Sequence, residues 1–494
     1  MNPFKKLAGD TAIYGTSSIL GKILNWCLTP YYTFIFAPEL LAVPTNLYAY
    51  VALFLAVLTY GMETSFFRFA SKAEDPGKVY STSLISLLFT SLSFILLVVV
   101  FNRDIAALIN YSDHPEYILW FGIILGIDAF ISIPFARLRL NNRPVKFATL
   151  KFVNIGLTIF FNIFFLTICP VLLRNNPDSF ITVFYRPEIG VGYVFIANLL
   201  SSSILLLLLL PEIFNNTLQF DRKVLKQMLS YGFPILLVSV AGAINQSIDK
   251  VLMPFLIPED QNPMDQLGIY GANYKLAVLM NMFIQAFRYA FEPFFFARES
   301  SKDDTKVYAT VMKYFVIFGL TIFLGMVLYI DIVKIIIEAK YHEGLKVVPI
   351  VLMANLFFGM YFTLSLWYKL KDMTRYGAYM AFIGAAITLL LNFILIPVMG
   401  YMGSAIAVFF CFLSMMLISY FWGQKHYPIP YNIKRISTYF FIAIILFIVS
   451  RYTMELTPFM KYFSHTILMS VFFVAVFMLE KKELKSLFKT NKKN

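Results

Sequence analysis

Charge is what this sequence has least of. Of its 494 residues only 14% are Asp, Glu, Lys or Arg and 59% are hydrophobic, whereas about a quarter of a soluble chain is charged. A water-soluble globule is excluded, and the chain reads as a polytopic membrane protein. Histidine and cysteine are also scarce. His114, His342, His426 and His465 are scattered, and Cys27, Cys169 and Cys411 sit in apolar segments. Their spacing matches no metal site, so the three thiols read as free. No glycine-rich phosphate cradle is present, which excludes an intrinsic ATPase engine, and no cofactor is expected. Paired carboxylates on a large external loop, as a membrane-embedded polymerase or ligase needs, are missing as well.

What is abundant is apolar length. A membrane-spanning helix takes roughly 20 mostly apolar residues. By that measure the chain holds about fourteen, near 11–36, 42–67, 80–101, 116–137, 149–171, 190–210, 229–257, 267–293, 308–330, 347–368, 377–397, 401–422, 435–451 and 462–480. The first follows Lys5-Lys6 as a signal peptide would, but it is longer than a signal core of ~7–15 residues and reads as a retained helix. The net charge of +13 fits nucleic acid or anionic lipid, and its distribution decides for lipid. With the N-terminus in the cytoplasm, 29 of the 41 Lys and Arg fall in inward segments and 8 in outward ones. That is the positive-inside pattern, with both termini cytoplasmic.

The chain also repeats itself. Shifted by 230 residues, Arg139 meets Lys369, Ala148 meets Ala378 and Asn162 meets Asn392 without a gap. Each Asn is followed by a proline (Pro170; Pro397) and then by two close glycines (Gly190, Gly192; Gly400, Gly403) opening the next helix. The expected architecture is all-α: two six-helix lobes, 1–224 and 225–430, plus two extra helices and a basic tail, 431–494. Carriers built on such repeats hold substrate near the midplane and rock one half against the other.

Ionisable residues inside these helices are the site candidates, because a charge at membrane depth is costly unless it faces a partner or a wet cavity. At 1.5 Å per residue, Lys22 lies roughly 16 Å into its helix, Glu63 ~10 Å above its inner end and Asp128 ~13 Å. Glu63 and Arg68, at i and i+5, point ~140° apart and do not pair, so Lys22 is the expected partner of Glu63. Arg68 reads as an inner-mouth residue. In the second half, Asp249 and Lys250 lie near an outer helix end, and Arg288 and Glu292, at i and i+4, share a helix face. Lys22, Lys275 and Arg288 suit the walls of a cavity for a phosphate or pyrophosphate group. Glu63, Asp128, Asp249 and Glu292 would balance charge or couple an ion. Each cation also fits a structural role beside a nearby acid. Asn162, Asn245, Asn355 and Asn392 suit helix-to-helix hydrogen bonds, or contacts to a sugar.

Four motifs in order along the chain carry a resemblance: Tyr60-Gly-Met-Glu-Thr-Ser-Phe-Phe-Arg-Phe69, Tyr231-Gly-Phe-Pro234, Leu267-Gly-Ile-Tyr-Gly-Ala-Asn-Tyr-Lys-Leu-Ala277, and Asn392-Phe-Ile-Leu-Ile-Pro397 with Gly400 and Gly403. With them the chain resembles, over nearly its whole length, the oligosaccharide flippases of the multidrug/oligosaccharidyl-lipid/polysaccharide exporter superfamily. The resemblance implies a carrier, not an enzyme, in the bacterial inner membrane. It would flip a polyprenyl-pyrophosphate-linked oligosaccharide by alternating access, with Lys22, Lys275 and Arg288 on the pyrophosphate. Its implied partners are the lipid-linked oligosaccharide, membrane lipid and the glycosyltransferases and polymerase of polysaccharide assembly, with no nucleic acid. A cation-coupled multidrug exporter of the same superfamily and a peptidoglycan-precursor flippase are the alternatives; a polymerase or ligase of the sugar pathway is more remote.

Overall fold

The computed structural model describes residues 20–24, 26–178, 180–214, 218–296, 304–371 and 373–490. The side chains of Ala290, residues 292–296, Asp304, Leu370 and residues 482–490 lie outside that description. Among the described residues every regular element is a helix. Helix α1 covers 20–24 and 26–35. It is followed by α2 (Pro38–Thr59), α3 (Met62–Ala70), α4 (Pro76–Leu108), α5 (Pro115–Leu140), α6 (Pro144–Ile163) and α7 (Cys169–Asn175). Next come α8 (Tyr193–Phe214), α9 (Arg222–Leu256), α10 (Pro263–Leu276), α11 (Val278–Phe296), α12 (Asp304–Leu328) and α13 (Ile330–Val333). The chain continues through α14 (Val348–Leu364), α15 (Leu366–Leu370), α16 (Arg375–Met399), α17 (Tyr401–His426), α18 (Ile433–Tyr452) and α19 (Pro458–Thr490).

Twelve spans among the described residues are long and apolar enough to cross a membrane, and they coincide with twelve of the expected helices. The other two expectations fall at 11–36, described only from residue 20, and at 267–293, where α10 and α11 meet at a turn at Ala277. Lipid as solvent explains the surface. On α4, Phe89 is 73% exposed, and Leu92, Leu96 and Val100 continue the same apolar face, a stripe too large for a protein bathed in water.

Contacts cluster into two compact units, Met1–Ala272 with Ala381–Ala407, and Asn273–Met380 with Val408–Asn494. In the first unit α4 packs on α5, α5 and α6 on α8, and α2 on α9. The core at one end joins Met62, Phe66, Tyr80, Ile133, Phe135, Phe147, Leu205 and Met228. In the second unit α14 is enclosed on nearly every side, consistent with apolar residues all round it. It packs on α11 and α12, while α12 also meets α18 and α19.

Two glycines punctuate the repeat. Gly190, just before α8, has φ +51°, and Gly400, between α16 and α17, has φ +56°. The Asn side chains match as well: Asn162 donates to the Thr158 carbonyl at 2.7 Å, and Asn392 to the Thr388 carbonyl at 2.6 Å. The copies differ between Asn and glycine, where the first has a π-helical turn, Phe164–Ile168.

Candidate functional site

The stretch Tyr60–Phe69 is a helix break followed by a restart. Tyr60 and Gly61 adopt φ +32° and +70°, a left-handed conformation that glycine accepts readily. A β-carbon on Gly61 would lie 2.6 Å from the carbonyl oxygen of Gly232, so α3 starts where two backbones touch. Ser65 fixes the crossing by donating to the Met228 carbonyl at 3.0 Å, and the Tyr60 hydroxyl meets Ser86 at 2.7 Å. The restart puts Glu63 in the first turn of a new helix, the favourable end for a carboxylate.

Around that turn the first unit gathers its interior charges. Glu63 accepts a hydrogen bond from the Arg139 guanidinium. The same guanidinium lies 5.0 Å from the Phe67 ring, and its Nε is buried with no hydrogen-bond partner. The Lys151 ammonium sits 4.3 Å from the Phe135 ring, has no carboxylate at ion-pair distance among the described residues, and feels both Asp128 and Glu63 at longer range. Asp128 accepts a hydrogen bond from Ser202 at 2.9 Å, and Asn198 donates to Tyr48 at 2.8 Å close by. Arg68 is exposed, with its guanidinium 4.2 Å over the Tyr231 ring. Arg68, Arg139 and Lys151 thus outnumber Glu63 and Asp128. A guanidinium with an unused N–H and an ammonium resting on a ring are groups prepared for an anion.

The pairing of Glu63 departs from expectation, since the partner found for it is Arg139 rather than Lys22. Arg139 and Lys151 are among the 29 basic residues assigned to inward segments, at the edges of expected helices 116–137 and 149–171. Arg139 instead occupies the last turn of α5, which runs to Leu140, and α6 starts at Pro144, so Lys151 lies about 10 Å into the helix. Proline at the first helical position was the missed signal.

The other predicted residues fall in both units. Lys22 is exposed on α1 in the first unit, whereas Lys275, exposed on α10, and Arg288 on α11 belong to the second. The Arg288 guanidinium lies 4.2 Å over the Phe362 ring. The side chain of Glu292 is outside the described residues, and with it the expected Arg288–Glu292 pair. Asp249 is buried and locally satisfied: Lys250 reaches both its oxygens at 3.0 Å and Tyr270 donates at 2.7 Å. Asn162 accepts from Tyr32 at 2.7 Å, Asn245 donates to the Ala381 carbonyl at 3.2 Å, and Asn392 accepts from Ser404 at 3.1 Å. These amides hold helices together.

The chain's many apolar spans and, among the described residues, its purely helical elements are those of a polytopic membrane protein, and similarity places it among the transporters of the multidrug/oligosaccharidyl-lipid/polysaccharide superfamily. The chain belongs to the family described as "Polysaccharide biosynthesis protein", whose profile matches residues 7–298. Its fold is similar to the lipid II flippase MurJ in an inward closed conformation, with a TM-score of 0.74 at 15% identity over 95% of this chain and 99% of that one. An inward-facing multidrug resistance transporter of the MATE family superposes with a TM-score of 0.64 at 13% identity, over 85% of this chain and 95% of that one. A superfamily transporter from Pyrococcus furiosus, noted for the reverse polarity of its binding pocket, gives 0.55 at 14% identity over 85% and 95%. No curated protein matches the sequence.

Proposed function

We propose that this protein flips a polyprenyl-pyrophosphate-linked oligosaccharide across the bacterial inner membrane by alternating access, with both termini in the cytoplasm. The observation that carries the reading is Arg139 at the inner end of α5 with Lys151 about 10 Å into α6, the Arg139 Nε without a hydrogen-bond partner and Glu63 the carboxylate that pairs with it. A pyrophosphate offers more charge and more acceptor oxygens than Glu63, and a guanidinium binds it bidentately. Exchange of Arg139 from Glu63 to substrate would couple loading to release of α3. Lys22, Lys275 and Arg288 would serve as further cationic contacts along the path, and Arg68 would guard the inner mouth. Two lobes, 1–224 and 225–430, would rock around the site. The reaction is transport without covalent chemistry, fed by glycosyltransferases and drained by a polymerase.

Proteoliposomes loaded with a lipid-linked oligosaccharide test this directly. Headgroups should reach the far leaflet with wild type. R139Q and K151Q should each slow transfer about tenfold or more, the value of one charge-assisted hydrogen bond, while protein levels in the membrane hold. Unchanged transfer in both variants defeats the assignment. Ion coupling is a second reading, carried by Asp128, whose only hydrogen bond among the described residues is from Ser202; D128N should then remove any dependence of transfer on an imposed cation gradient.

A further inference from the structure

On the first unit, at the end where α5 turns into α6, three cations converge on Glu212. Glu212, in the last turn of α8, is 4% exposed in its side chain. Its Oε1 accepts from Lys146 at 2.6 Å and from Arg143 at 3.2 Å. Its backbone carbonyl accepts from Arg137 at 2.8 Å and from Tyr80 at 3.0 Å, with the Arg137 guanidinium stacked 4.3 Å from the Tyr80 ring. One carboxylate therefore stands against three positive groups. Arg143 and Lys146 stay about half exposed, and among the described residues each uses one donor, on Glu212.

These two side chains edge an open cleft of about 720 Å³ whose lining includes Asn142, Val145, Thr149 and Leu208. One end of the cleft is cationic. The other passes onto Leu208, 43% exposed and four residues further into α8 than Glu212, with Leu207 beside it. Both flanking spans end here, α5 at Leu140 and α8 at Phe214, which sets the cations at headgroup height and the apolar residues at acyl-chain height. A free phosphate would use only the first half of this surface; a phospholipid matches both.

We propose that the cleft binds an anionic phospholipid, its phosphate on Arg143 and Lys146 and one acyl chain along Leu208 and Leu207. Basic pockets between membrane helices recognise acidic headgroups by this chemistry. Bound there, the lipid would neutralise the excess charge left around Glu212 and brace the junction of α5, α6 and α8, the helices that carry Arg139, Lys151 and Ser202.

Native mass spectrometry of the full chain in detergent, titrated with phosphatidylglycerol or phosphatidylcholine, is the test. Phosphatidylglycerol should be retained selectively. R143Q, which leaves the Lys146–Glu212 pair in place, should cut its retention about fivefold, and T149W should cut it by filling the cleft without changing charge. K226Q, an exposed basic site on α9 outside the cleft, should retain lipid like wild type. Should R143Q fold poorly, T149W decides, because Thr149 is exposed and uncharged. Equal retention of the two lipids, or wild-type retention in T149W, overturns the proposal. So does displacement of phosphatidylglycerol by millimolar inorganic phosphate, which would mark a site for the free anion.

Discussion

Glu212, Asp249 and Glu480 are nearly inaccessible carboxylates, and each has an ammonium within 3.0 Å. Lys151 differs, resting on a phenyl ring with its acids at longer range. That contrast separates charges that hold helices from charges available to a ligand, and residue types alone do not reveal it. Sequence spacing identified Glu63 as an intramembrane acid in need of a partner; which cation reached it depended on where α5 ends. Asp221 supplies a prediction at this scale. It precedes α9, where Oδ1 accepts from the backbone N–H of Lys223 and Val224 and Oδ2 pairs with Lys78 at 2.6 Å. The Lys78 hydrogen bond first, then the helix N–H groups, hold its carboxyl down at about 2. A carboxylate whose folded pKa lies below the unfolded one stabilises fully above the ordinary range near 3.8 and loses that contribution as pH falls toward 2. The melting temperature of D221N should therefore lie below wild type at pH 6, with the gap closing between pH 4 and 2. A gap independent of pH would contradict the assignment.

At the scale of elements, apolar runs and prolines made twelve spans legible, while breaks inside spans were not. The turn at Tyr60–Gly61 lies in one long hydrophobic run, and only the approach of Gly232 explains it. Three glycines with positive φ turn this into a graded test. G190A meets open space and suffers only backbone strain, about 1–3 kcal/mol. G400A would bring its β-carbon within 2.0 Å of the Gln266 side-chain oxygen, and G61A meets a backbone carbonyl that cannot swing aside. Thermal unfolding should rank G190A mildest and G61A most severe. The buried knot at Glu480 makes another test. Lys313 of α12 reaches Glu480 at 2.6 Å, Arg435 of α18 at 3.4 Å, and Tyr439 donates to it as well. Two helices of the second unit, α12 and α18, thus share one carboxylate on α19. Removing one partner strands a buried charge, so E480A should cost about 3–5 kcal/mol, whereas replacing both ends apolarly, K313M with E480L, should recover much of it. Equal melting temperatures for the single and double variants would show that the knot contributes little.

For the whole molecule, the arrangement of basic connectors was the most readable feature, because the membrane acts on the chain at every crossing and leaves a cumulative bias. The interior site was less legible: its charges come from α3, α5 and α6, with Ser202 of α8 on Asp128, and no spacing within one segment encodes their meeting. The repeat lies between these cases. Its Asn and glycine positions persist as matching local geometry at Asn162 and Asn392 and at Gly190 and Gly400, while the π-helical turn and the segment around Phe180–Val183 belong to the first copy alone. The connector bias makes an orientation prediction that does not depend on substrate. Single cysteines in a background lacking Cys27, Cys169 and Cys411 can be labelled in intact cells with a membrane-impermeant maleimide. Cysteines replacing Asp178 and Glu343, which lie in expected outward connectors, should label at once. Those replacing Glu74 and Lys425, next to basic inward connectors, should label only after permeabilisation. A reversed pattern would place Arg143 and Lys146 in the outer leaflet and the mouth beside Arg68 outside, which would make the proposed direction of lipid-linked substrate entry untenable.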